Sequence, residues 1–218
     1  MQLHTLVPAV LILGLSSEAS AQEWTEYVSR ADFFSLNFPG HPMVTSTTYA
    51  SEYGAMFPAR VYSQLSGASK YSITVVDYTN AEAIHTERAK TCPPDAHTGC
   101  TGAPWIGVGS WRVDVRGAPE YASWQFMKRG AEITFFGWSF VDLVEGRQLQ
   151  LTNPDGSRTF VGIYMHENRL YILEATVPRG LPEPGLFQQS LGFIDQDGKG
   201  IRYESVYSNG FPVPRRVR

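Results

Sequence analysis

The chain has 218 residues with 21 acidic side chains, 18 Lys or Arg, 20 glycines, 14 prolines and only 2 cysteines. At 43% hydrophobic and 18% charged it is no disordered polyelectrolyte, and a net charge of -3 gives no broad basic footprint for nucleic acid. Two cysteines are too few for a disulfide-dense mini-protein.

The chain opens with a ten-residue apolar run, Leu6 to Leu15, broken only by Pro8 and Gly14 and followed by Ala19-Ser20-Ala21. A short apolar core before a small-x-small triplet predicts a secretory signal cleaved after Ala21. The run is too short for a membrane span, which takes about 20 apolar residues. No Lys or Arg precedes it; only the amino terminus and His4 supply positive charge there. Residues 1–21 are therefore expected to be the signal, 22–195 a single domain, and 196–218 a C-terminal extension ending in a basic tail, FPVPRRVR. The expected address is periplasmic or secreted, with no membrane span after cleavage.

Strand patterns dominate the mature chain. Phe34, Leu36 and Phe38 alternate with Ser35 and Asn37 and stop at Pro39-Gly40. Arg60 to Leu65 and Tyr71 to Tyr78 form a strand pair turning near Ser66-Gly67. Ala81 to Lys90 reads as a helix capped by Asn80. Cys92 and Cys100 then bracket a short loop, and in an oxidising compartment the simplest expectation is a disulfide, worth about 2.5 kcal/mol in the chain-entropy account. Metal binding by His85, Cys92, His97 and Cys100 is the alternative, but the spacing matches no usual paired Cys-x2-Cys form.

Trp111 to Val115, Tyr121 to Met127 and Ile133 to Val141, rich in aromatic and β-branched residues, read as three more strands, followed by Gln148 to Leu151 and the turn Asn153-Pro154-Asp155-Gly156. Thr159 to Val177 is the clearest hairpin, turning at Glu167-Asn168. That register pairs His166 with Arg169, Met165 with Leu170 and Ile163 with Ile172. One face then carries Val161, Ile163, Met165, Leu170 and Ile172; the other carries Phe160, Tyr164, Tyr171, Leu173, Ala175 and Val177. Because both faces are apolar, something must cover each side of the sheet. Pro184 to Phe193, with Phe187, Leu191 and Ile194 on one stripe, reads as a second helix. The expected fold class is α+β: a mainly antiparallel β-sheet covered by helices, α/β/α-sandwich-like, with about nine strands and two helices.

The run Phe34-Ser35-Leu36-Asn37-Phe38-Pro39-Gly40-His41-Pro42 resembles the F-S-x-x-F-P-G-x-P opening of bacterial secreted domains of the PsbP/Mog1-like group. Segments Tyr71 to Tyr78, Asn168 to Leu173 and Phe187 to Leu191 occupy comparable places. The resemblance spans roughly residues 33 to 194 and implies an antiparallel sheet sandwiched by helices. It implies no shared chemistry, because its members do unrelated jobs, and the Cys92–Cys100 loop and long C-terminus depart from its pattern. The whole chain also resembles exported alphaproteobacterial proteins.

Complete catalytic motifs are absent. Gly107-Val108-Gly109-Ser110-Trp111 lacks the last glycine of a nucleophile elbow, and no Gly-Lys-Ser/Thr occurs. Asp195 to Gly200 fails as a calcium loop because Lys199 and Val206 stand where ligands are required. None of His41, His85, His97 and His166 has the helical spacing of a zinc protease. No catalytic residue, cofactor site or metal site is therefore assigned, and no cofactor is expected. Glu174 falls on an otherwise apolar hairpin face, where it is either a tuned acid or the partner of Arg158 or another base. Trp105, Trp111, Trp124 and Trp138 either pack the core or line a groove. The speculative ligand or acid site is Glu174, His166, Trp124 and Trp138. The expectation is a binding or accessory module whose partner is an envelope protein or small ligand, not nucleic acid. The rival is an envelope hydrolase built from scattered residues such as Glu174, Glu120 and His166.

Overall fold

A computed structural model describes residues 23–92, 110–209 and 211–217. The expected signal, and with it His4, lies outside the described residues, as do His97, Cys100 and Trp105. In chain order the elements are β1 (Trp24–Ser29), β2 (Phe34–Pro39), β3 (Met43–Ala50), β4 (Met56–Ser66), β5 (Ser69–Asp77), α1 (Ala81–Ala89), α2 (Ser110–Met127), β6 (Glu132–Val141), β7 (Val144–Thr152), β8 (Arg158–His166), β9 (Arg169–Val177) and α3 (Gly185–Gln189). Three two-residue strands complete the order: β10 (Gly192–Phe193), β11 (Arg202–Tyr203) and β12 (Arg216–Val217).

Seven strands form one antiparallel sheet in the order β3-β4-β5-β9-β8-β7-β6. Its centre is the β8–β9 hairpin in the expected register, with His166 opposite Arg169 and Ile163 opposite Ile172. Glu167 and Asn168 both take positive φ, 47° and 57°, as a two-residue turn matched to strand twist requires. Both faces are buried. Val161, Ile163, Met165, Leu170 and Ile172 pack with Val115, Ala118, Ala122 and Phe126 of α2. Tyr164, Tyr171, Leu173 and Ala175 pack with Phe34, Leu36 and Phe38 of β2, Phe187 of α3 and Phe193. Helices thus cover one face. The other is covered by α3 and by the small sheet β1-β2-β10. The chain is α+β, as its alternation predicts.

Three local expectations are corrected. Trp111 to Val115 and Tyr121 to Met127 are not strands but parts of the single helix α2. Its buried Val115, Ala118, Ala122 and Phe126 recur every three or four residues, the helical period, and this stripe outweighs the strand preference of the interleaved aromatics. The second expected helix is only Gly185–Gln189. Asn37 donates its backbone N–H to the Ser190 hydroxyl at 2.9 Å, and Gly192 and Phe193 then pair with Ser35 and Phe34 as a strand. Phe187, Leu191 and Ile194 are nonetheless all buried. Asn80 precedes α1, as expected, but its side chain makes no capping hydrogen bond.

The segment after residue 195 adds Ile201, Tyr203 and Tyr207 to the core around β2 and β9. Arg216 and Val217, in the basic tail, pair with Tyr203 and Arg202.

Candidate functional site

Strand β6 reads Glu-Ile-Thr-Phe-Phe-Gly-Trp-Ser-Phe-Val, a composition suited to a buried strand. It lies instead at the edge of the large sheet, and among the described residues only β7 pairs with it. A register shift between Ile133 and Phe135 kinks its start. Beyond the kink, Phe136, Trp138 and Phe140 oppose Leu149, Arg147 and Glu145. Leu149 belongs to the helix-side core, so the three rings share the helix side of the sheet. They are 50%, 62% and 52% exposed. Phe135 points to the other side and lies across Gly137, where an added Cβ would meet its ring at 2.9 Å.

Of the three rings, Trp138 is held by a cation. The Arg147 guanidinium lies 3.5 Å from the Trp138 ring centroid and is ion-paired with Glu120 of α2. Trp124, one helical turn after Glu120, is also exposed and on the same side of the sheet, with Lys128 near its ring. Trp124 and Trp138 thus lie on the same side of the sheet, both exposed.

Glu174 on β9 also faces the helices. Its carboxylate accepts from Arg129 at the end of α2, at 2.6 and 3.3 Å. The partner is Arg129 and not Arg158; Arg158 bonds the Leu181 carbonyl and sits 3.6 Å from Glu183. His166 is on the opposite face, buried against Phe193, Tyr203 and Tyr207, with its Nε2 2.7 Å from the Tyr203 hydroxyl. Burial first, then Arg216 and Arg169, holds its pKa down at about 3. The sheet therefore separates His166 from Glu174, and Glu120 is engaged by Arg147. These three residues do not converge on a common point.

A cavity of about 400 Å³ lies between β6–β8 and α3, lined by Ser139, Gln148, Tyr164, Glu183, Gln188 and Gln189 among others. Its walls offer hydrogen-bonding amides and hydroxyls, and no histidine lines it. Among the described residues no cluster of three or more His, Cys, Asp or Glu has a metal-holding arrangement. His41 stacks edgewise on Tyr27. Asp195 accepts the N–H groups of Asp197 and Lys199, closing a surface turn. Cys92 lies three residues past the end of α1, its backbone N–H donating to the Ala89 carbonyl at 3.3 Å.

Sequence reasoning missed a buried pair. The His85 ring on α1 donates from Nε2 to Asp114 Oδ2 on α2 at 2.8 Å. Asp114 lies inside a segment expected to be a strand, so nothing in the spacing connected it with His85.

Comparison with known protein families and with curated proteins gives no match. Among solved structures the chain is similar to cyanobacterial PsbP (CyanoP) from Synechocystis sp. PCC 6803, with 13% identity over 83% of this chain and 98% of that chain and a TM-score of 0.40. That likeness is one of general shape, and shape does not transfer chemistry. Among the described residues no helix is long and apolar enough to cross a membrane.

Proposed function

We propose that the chain is an exported accessory protein that works by binding an extended polypeptide along the β6 edge of its large sheet. One observation carries this reading: among the described residues β6 is an edge strand, with Ile133, Phe135, Phe136, Trp138 and Phe140 all between 44% and 62% exposed. Edge strands are ordinarily blunted by Lys, Pro or inward charge, and from Ile133 to Val141 this one carries none. The register shift lies before Phe135, so the stretch from Phe136 to Val141 keeps a regular apolar edge that suits strand addition, in which main-chain hydrogen bonds give affinity and alternate side chains give specificity. Export rests on reading residues 1–21 as a leader cleaved after Ala21, and a Cys92–Cys100 disulfide suits the compartment that reading implies. A hydrolase built on Glu174, Glu120 and His166 is disfavoured by their separation.

A photo-crosslinking amino acid placed at Phe140 in living cells tests the reading. Discrete adducts are expected there and not at Glu82, exposed on α1. No adduct at Phe136, Trp138 or Phe140 overturns it, as does turnover of a generic ester or glycoside that Glu174→Gln abolishes.

A further inference from the structure

The residues of β6 around Trp138 form a palindrome of shape: Phe136-Gly137-Trp138-Ser139-Phe140, ring-small-ring-small-ring. An antiparallel strand of the same sequence, related by a two-fold axis at Trp138, places Phe136 against Phe140, Gly137 against Ser139, and Trp138 against its own copy. All three ring pairs fall on the helix side, where these side chains are exposed. On the other side Phe135 meets Val141. Resting on the reading of β6 as a binding edge, we propose that its occupant is β6 of a second copy of this chain, joining two seven-stranded sheets through their edges.

Electrostatics agree with self-pairing. Between Ile133 and Val141 the strand has no charged residue, so no like charges meet across the axis. Arg147, which lies against the Trp138 ring, is already paired with Glu120. The size is adequate as well. Rings half exposed offer about 100 Å² each, and four per copy with the strand backbone reach the order of 1,000 Å², the lower bound for a specific interface. The register shift before Phe135 limits pairing to the palindromic stretch. The other edge, β3, presents Thr45-Ser46-Thr47-Thr48, which offers no such ring ladder. A two-fold contact uses the same patch on both copies, so the assembly closes at two and does not propagate as a fibre.

Sedimentation velocity of the purified chain is expected to show a dimer. Trp138→Lys sets two ammonium groups against each other at the axis and is expected to weaken association at least about 100-fold, with an unchanged far-UV circular dichroism spectrum showing that the fold is retained. Cysteine substitution tests the register. Trp138→Cys alone is expected to cross-link to itself under mild oxidation. Phe136→Cys and Phe140→Cys are each expected to cross-link only when mixed with the other, against the unsubstituted chain as control. A monomeric wild-type chain overturns the proposal, as does a dimer indifferent to Trp138→Lys or cross-linked through position 136 to itself. A monomer whose Phe140 adducts in cells carry the mass of another protein overturns the second copy and leaves the edge reading intact. A monomer without adducts overturns both.

Discussion

The side-chain amide of Asn209 donates to the Val115 carbonyl at 2.8 Å, and that carbonyl is the one Pro119 deprives of its helical partner. In an α-helix the N–H of residue 119 would bond the carbonyl of residue 115, and proline has none to give. Asn209 arrives from the C-terminal segment to replace it, so the helix keeps Pro119 in its interior because a distant residue completes it. Asn209→Ala is expected to lower stability by about 1 kcal/mol. In a Pro119→Ala background, where the helix makes its own bond, the same substitution is expected to be nearly neutral. Urea denaturation of the four chains gives the coupling directly; equal losses in both backgrounds would refute the compensation.

That bond also explains which parts of the fold were legible. The β8–β9 hairpin was readable because turn, alternation and register are all local: Glu167-Asn168 fixes the pairing and each side chain's face follows. Helix α2 was not. The middle of its helical stripe is the small pair Ala118 and Ala122, while its large residues Trp111, Tyr121 and Trp124 favour strands, and Pro119 argues against a helix until Asn209 is known. The aromatic edge was half legible. Trp138 was recognisable as a candidate ligand-contacting ring, but its exposure depends on β6 being last in the sheet order, a property of topology that strand composition does not carry. Glu174 and His166 were grouped for their chemistry, although they lie on opposite faces of the hairpin.

His166 predicts a pH dependence. Its ring is buried, with Nε2 bonded to the Tyr203 hydroxyl and Nδ1 without a hydrogen-bond partner in the described structure. A buried acceptor without a partner is less costly than a buried orphan N–H, so the proton belongs on Nε2. The folded pKa of about 3 lies below the unfolded value near 6.5. Between them the unfolded chain binds the extra proton, so this contribution is fully present above pH 6.5 and is lost as pH falls toward 3. The limiting slope is about 1.4 kcal/mol per pH unit. His166→Gln cannot take up that proton and is expected to flatten the fall in stability between pH 6.5 and 4, measured by urea melts across that range. An unchanged slope refutes the assignment.

Gly146 on β7 marks a close approach between neighbouring strands. A Cβ there would collide with the Ile163 carbonyl oxygen and with the Tyr164 ring. The oxygen is backbone in the centre of the sheet and has no rotamer to escape into. Gly146→Ala is therefore expected to destabilise by about 2–3 kcal/mol, even though alanine ordinarily gains over glycine through the unfolded chain. Gly67→Ala is a control in open space, where only the positive φ of 56° penalises the substitution. Thermal melts that rank Gly146→Ala as the milder change would contradict the β7–β8 packing.

The His85–Asp114 bond ties α1 to α2 beneath the surface, with side chains only 4% and 1% exposed. A carboxylate only accepts hydrogen bonds, so Nε2 carries the proton that joins them. Asp114 also contributes, after burial itself, to keeping the Tyr49 and Tyr78 phenols un-ionised well above their ordinary range. Removing one partner of a buried pair strands the other in a low-dielectric interior, a loss of about 3 kcal/mol. Asp114→Ala is expected to show that loss. Asp114→Asn, which keeps the shape and one accepting oxygen, is expected to lose about half as much. Hydrogen exchange gives a more local readout: amides of α1 and α2 should lose protection in Asp114→Ala while those of β8 and β9 retain theirs, because the helices can loosen without opening the central hairpin. Uniform loss across helices and sheet would mean that the pair stabilises the whole domain and does not specifically dock α1 on α2.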